Sequence, residues 1–215
     1  LPAEEEVKAD TREMIRTLEA MRLAPVVDPY SGPAMLSGSA SGVFFHEIFG
    51  HRIEGQKMKS ETDGQTFKSM VGQYVLPAGF SVIMDPVART YNGQDLNGHY
   101  VFDDQGVRAE RVDVVKNGIL NDFLMTRVAL EGFPRSNGHA RADLGYDPVS
   151  RQSNLIVEAA TVMTEEELRN ALKKEILAQG RAFGFFIKEV SGGFTQTGAR
   201  AINAFNVTPL DVYKI

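Results

Sequence analysis

The dipeptide Asn117-Gly118 constrains the fold more than any other feature of the chain. It separates RVDVVK, in which apolar and polar residues alternate, from the largely apolar ILNDFLM. Asn-Gly is the pair that a two-residue type I′ turn favours, because both of its central residues take positive φ. Arg111 to Leu124 therefore reads as a hairpin, and a hairpin commits the chain to antiparallel pairing. Further strands are predicted in Ala24–Ser37, at Tyr74–Leu76, Phe80–Met84, Leu155–Ala159, Phe183–Val190, Ala204–Val207 and Val212–Ile215, with Ser191-Gly192-Gly193 as a turn. Thr164 to Gln179 reads as a helix. Thr164 and Glu167 form a capping box, Leu168, Leu172, Ile176 and Leu177 share a face, and Gly180 is the stop.

Glu4 to Arg22 repeats Val7, Met14, Ile15, Leu18 and Met21 at three- and four-residue steps, as a packing helix without chemistry would. Thr126–Glu131 reads as a short helix, and Lys57–Gly72, with Glu61, Asp63, Gly64 and Gln65, as a polar loop. Helices and strands do not alternate strictly, so the class expected is α+β, mainly antiparallel sheet with a few helices. No internal repeat or interdomain linker divides the 215 residues, which read as a single domain.

The chemistry is concentrated in Ser41–Gly55, SGVFFHEIFGHRIEG. His46, Glu47 and His51 combine two imidazoles, which can hold Zn²⁺, with a carboxylate that can take a proton from water. The zincin motif spaces its histidines at i and i+4, but here they stand at i and i+5. Five steps of roughly 100° leave the side chains about 140° apart on an ideal helix. A π-type bulge would restore a common face, and Gly50 would ease it, so a helix with a local bulge is expected. Ser39 or Ser41 would cap its start. Val43, Phe44, Phe45, Ile48, Phe49 and Ile53 mark this helix as buried, and the bland alternative is a pair of core histidines satisfied by backbone carbonyls.

HEIFGHRIEG resembles the HExxxH segment of the TldD/PmbA family of zinc metallopeptidases, formerly called modulators of DNA gyrase. Gly50, Glu54 and Gly55 fall on the further positions of that family's HExxGHxxEG pattern. Asp103-Asp104-Gln105-Gly106, the hairpin Val114–Leu124 and SNGHAR at Ser136–Arg141 are similar to family segments in the same order, and the likeness runs from about Pro33 to the end. It implies a zinc-dependent peptidase that cleaves unfolded or flexible peptides with metal-activated water. His46 and His51 would be the metal ligands and Glu47 the general base. The alternative is a non-catalytic partner subunit or scaffold of a TldD/PmbA-type complex.

The family completes its zinc site with a downstream cysteine, and this chain has none. The resemblance therefore implies most of a C-terminal catalytic domain, without the N-terminal domain and the C-terminal end, and inactive in isolation. His139 is an alternative third ligand. It also implies a cytoplasmic protein, a peptide substrate and a homo- or hetero-oligomer with a family member.

Elsewhere the residues suggest less. Arg141 or Tyr146 could stabilise an oxyanion and His139 could orient substrate. Asp95, Asp103 and Asp104 lack EF-hand spacing and read as turn and cap chemistry, and His99 as a surface residue. The net charge of -5 gives no electrostatic reason to expect nucleic acid. No apolar run approaches a membrane span, so no membrane partner is expected.

Overall fold

A computed structural model describes residues 2–62, 65–198 and 204–215; Asp63 and Gly64 of the expected polar loop lie outside the described residues. In chain order the elements are α1 (Glu4–Leu23), β1 (Ala34–Leu36), α2 (Gly38–Ile48), 3₁₀ turns at Gly50–Arg52 and Gly55–Met58, β2 (Phe80–Met84), β3 (Thr90–Tyr91), β4 (Gln94–Asp95), β5 (Val112–Lys116), β6 (Ile119–Leu120), β7 (Ala140–Arg141), β8 (Val149–Ser150), β9 (Leu155–Ala159), α3 (Glu165–Ala178), β10 (Phe185–Gln196) and β11 (Ala204–Lys214). The fold is α+β. Strand pairing is mostly antiparallel, with β1 and β10 parallel.

Two compact units are distinguished. One contains residues 1–40, 164–191 and 208–215, the other residues 41–163 and 192–207. The second holds a four-stranded sheet in the order β6-β5-β2-β9. The Asn117-Gly118 turn closes β5 onto β6 as its composition requires, with φ of 49° and 85° at the two residues. A register shift opposite Val82 and Ile83 admits one extra residue in β5, which lets Val114 and Val115 both face inward. Val82, Met84, Val112, Leu120, Phe123, Leu124 and Met125 join them in a core that also receives Phe49, Ile53, Met58 and Phe67. Burial of these apolar side chains anchors the stretch that follows α2.

In the first unit, Met35, Leu172 and Ile176 form a small core. Tyr30 stacks on Phe183 and donates its hydroxyl to the Phe183 carbonyl at 2.8 Å. The capping box of α3 is present at Thr164 and Glu167.

Several expectations are corrected. None of α1 is buried, so its apolar stripe stays exposed instead of packing. Ser191-Gly192-Gly193 does not turn, because β10 continues through it to Gln196. Likewise β11 is one strand through Pro209. Its place at the edge of the order β1-β10-β11 explains this, since a proline costs an edge strand no ladder hydrogen bond. Thr126–Glu131 forms turns, with Leu130 bridged to Phe133, and Tyr74 makes only a single bridge to Ile119. Within Ala24–Ser37 only β1 forms.

Candidate metal centre

Helix α2 is capped by neither expected serine. Ser37 Oγ accepts from the Ala40 amide at 3.0 Å, while Ser39 Oγ donates to Glu189. The apolar residues of its second half then lead His46 and Glu47 to its last turn.

No π-type bulge follows. The last α-type bond runs from the Phe49 amide to the Phe45 carbonyl, after which Arg52 bonds to Phe49 and Ile53 to Gly50 in the tighter i−3 pattern. The helix stops because the chain beyond it is drawn into pairing with Leu124: the Leu124 amide bonds to Ile53 and the Gly55 amide to the Leu124 carbonyl, both at 2.9 Å. A break into a 3₁₀ turn thus does what a widened turn was expected to do. The rings of His46 and His51 lie with centroids 4.6 Å apart. The His46 carbonyl, left behind by the broken ladder, accepts from Gln152 Nε2 at 3.4 Å. That amide occupies the space a Cβ on Gly50 would need, so Gly50 permits the close approach.

Ligand atoms of His46, Glu47 and His51 all lie within 4.8 Å of one another, and they are the one such group of three among the described residues. Glu47 is buried beside both rings, with Oε1 3.8 Å from His46 Nε2 and Oε2 3.9 Å from His51 Nε2. Burial, aided by the nearby His51, holds the His46 imidazole below its ordinary pKa and so keeps its lone pair available near neutral pH.

Glu54 orients the second histidine. It is fully buried and accepts a hydrogen bond from His51 Nδ1 at 3.0 Å, which leaves Nε2 of that ring free to bind. Burial pushes the Glu54 carboxyl up, but the His51 hydrogen bond and the Lys57 ammonium at 2.9 Å outweigh it, and the group lies below its ordinary value. Arg151 adds a third basic contact at 3.2 Å. Two imidazole nitrogens, one with its tautomer set by a carboxylate, suit a divalent ion of zinc's type, and the Glu47 carboxylate stands beside them.

His139 does not join this group. It is buried elsewhere, its Nδ1 3.1 Å from the Asn137 carbonyl and its Nε2 3.2 Å from Ser153 Oγ. Burial lowers its pKa to about 4. Arg141 lies over the Tyr100 ring and 3.4 Å from Asp104, while Tyr146 is exposed; neither contacts the three residues. Asp103 accepts from the Gln105, Val107 and Ala140 amides, as a cap residue does.

Sequence reasoning assigned no role to Glu54, Gln152 or Thr195. Glu54 was within reach of it, three residues after His51 in the quoted motif. Thr195 was not: its hydroxyl lies 2.7 Å from Glu47 Oε2, across 148 positions of chain.

Fold and donor set together define a class, an α+β protein with one His-Glu-His group fit for a divalent metal. A family model described as the PmbA/TldA metallopeptidase C-terminal domain matches residues 29–204, and the chain belongs to that family. A protein named metalloprotease from Archaeoglobus fulgidus is 32% identical over 141 residues, covering 64% of this chain and 31% of its own length. Another of that name from Methanothermobacter thermautotrophicus is 27% identical, covering 87% of this chain and 38% of its own. The chain thus spans about a third of the length of these curated relatives. The crystal structure of TldE from Thermococcus kodakarensis shares the fold, with a TM-score of 0.63 at 16% identity over 93% of this chain and 42% of that one. A structure from Thermotoga maritima, titled a putative modulator of a DNA gyrase, reaches 0.58 at 20% identity over 85% and 43%. Among the described residues no helix is long and apolar enough to cross a membrane.

Proposed function

We propose that the chain is most of the catalytic domain of a longer, zinc-dependent peptidase that acts on unfolded or flexible peptides. A cytoplasmic location and an oligomer with itself or a family member belong to the same proposal. His46 and His51 would hold the ion through Nε2, and Glu47 would serve as general base. A bound divalent ion of this kind polarises a peptide carbonyl and acidifies water. Glu47 takes a proton from the attacking water and returns it to the amide nitrogen as the carbon–nitrogen bond breaks. Glu54 keeps the His51 ring in the tautomer that presents Nε2.

The observation that carries this reading is the meeting of His46, Glu47 and His51 within 4.8 Å, with Nδ1 of His51 already engaged by Glu54. The intact HExxxH sequence, His46 to His51, also supports the catalytic reading over that of a non-catalytic partner. In the full-length protein, Glu47→Gln is expected to retain zinc while peptide cleavage falls by about 10²- to 10⁴-fold, the usual contribution of a general base. Retained cleavage would remove Glu47 from the mechanism. Two imidazoles bind zinc more weakly than three protein ligands, so the isolated 215-residue chain is expected to be metal-poor and inactive. One tightly held zinc with peptide turnover would overturn that expectation.

A further inference from the structure

Strand β10 brings two alternate residues, Gly193 and Thr195, against the Glu47 side chain. Residues two apart share a face of a strand. On this face one leaves room and the other supplies a hydrogen bond. A Cβ on Gly193 would lie 2.9 Å from Glu47 Cγ and 2.6 Å from the Asn206 carbonyl oxygen, so glycine is what lets strand and carboxylate approach this closely. Thr195 Oγ1 is 2.7 Å from Glu47 Oε2 and also contacts the Glu47 carbonyl oxygen.

A threonine hydroxyl has one proton and can also accept. Facing an ionised Glu47 it donates to Oε2, a charge-assisted bond that fixes the plane of the carboxylate and leaves Oε1 toward His46. The same hydroxyl lies against the Glu47 backbone carbonyl, so the side chain is held at its carboxylate and at its own backbone.

We propose that Thr195 is the positioning residue for Glu47, fixing the orientation of its carboxylate through the Oε2 hydrogen bond that the close approach of β10 at Gly193 permits. The proposal rests on the reading of Glu47 as general base. It does not involve the histidines, so its effect separates from metal binding.

The test uses the full-length protein with Thr195→Val, which keeps the shape and removes the hydroxyl, and Thr195→Ser, which keeps the hydroxyl. Glu47→Gln serves as reference. Thr195→Val is expected to lower kcat by about 10- to 100-fold, the range typical of outer-shell partners. KM, and the zinc affinity of the apo protein measured by chelator competition, should stay within about twofold. Thr195→Ser should recover most of the lost kcat. Unchanged kcat in Thr195→Val would overturn the proposal, as would loss of zinc in step with activity or failure of serine to rescue. Activity retained by Glu47→Gln would instead sink the general-base reading, and the proposal with it. A dead Glu47→Gln beside a fully active Thr195→Val would sink only the proposal.

Discussion

His51 and His139 each engage Nδ1 with a nearby acceptor, yet their surroundings use the other nitrogen in opposite ways. His51 gives Nδ1 to the Glu54 carboxylate and leaves Nε2 in the space it shares with His46 and Glu47. His139 gives Nδ1 to Asn137 and spends Nε2 on Ser153, in a site closed to solvent. Burial alone does not separate a ligand from a packing histidine. What separates them is whether a nitrogen lone pair is left over, and whether a second ligand points at the same place.

The largest effect should come from removing the free nitrogen. His51→Ala is expected to weaken zinc binding by the full-length protein by at least about 100-fold, since one of few protein ligands is lost. His139→Gln should leave it within about threefold. Isothermal titration of both apo variants makes the measurement, and equal losses would erase the distinction between the two histidines.

A smaller effect is expected from the carboxylate behind His51. Glu54→Gln keeps the shape but removes a charge that faces His51, Lys57 and Arg151. Zinc affinity should fall by about 10- to 100-fold, as for other second-layer partners of metal-binding histidines. Unfolding in urea should also become easier, by roughly 3 kcal/mol, because Lys57 is left facing no buried counter-charge. A change in stability with no change in affinity would confine Glu54 to packing.

The third contrast concerns pH. Unfolded, His139 titrates near its ordinary 6.5; folded, burial lowers it to about 4. Between those values the unfolded chain binds more protons, so stability falls as pH is lowered from about 7 toward 4. The part due to this group is fully present above 6.5 and amounts to on the order of 3 kcal/mol. Urea midpoints at pH 7.5, 5.5 and 4 should show that slope in the parent chain and a flatter one in His139→Gln. Identical slopes would mean that His139 is not shielded as described.

Much of this was legible in the residues. Asn117-Gly118 encoded its hairpin because a type I′ turn is a local demand that few dipeptides meet. Thr164 and Glu167 encoded the start of α3 for the same reason. Where the reading failed, a distant partner overrode local preference. Gly192-Gly193 looked like a turn, yet β10 passes straight through it, with Gly193 lying against Glu47 and Asn206. Ala204–Val207 and Val212–Ile215 were expected as separate strands, yet β11 runs through Pro209 between them, which an edge strand tolerates. The apolar repeat of α1 was read correctly as a helix and wrongly as a packed one, since periodicity reports a face and not what covers it.

From the residue order alone came the α+β class, the family, and the three residues that meet as a candidate metal group, because motif spacing and turn chemistry act over a few positions. Tertiary structure decided how His46 and His51 converge. Pairing of Ile53 and Gly55 with Leu124 breaks the helix into a 3₁₀ turn. It also decided which groups back the site, since Arg151, Gln152 and Thr195 come from strands and loops about 100 or more positions away. Hydrogen bonds across such distances depend on how sheets and turns pack, which no short window of sequence encodes.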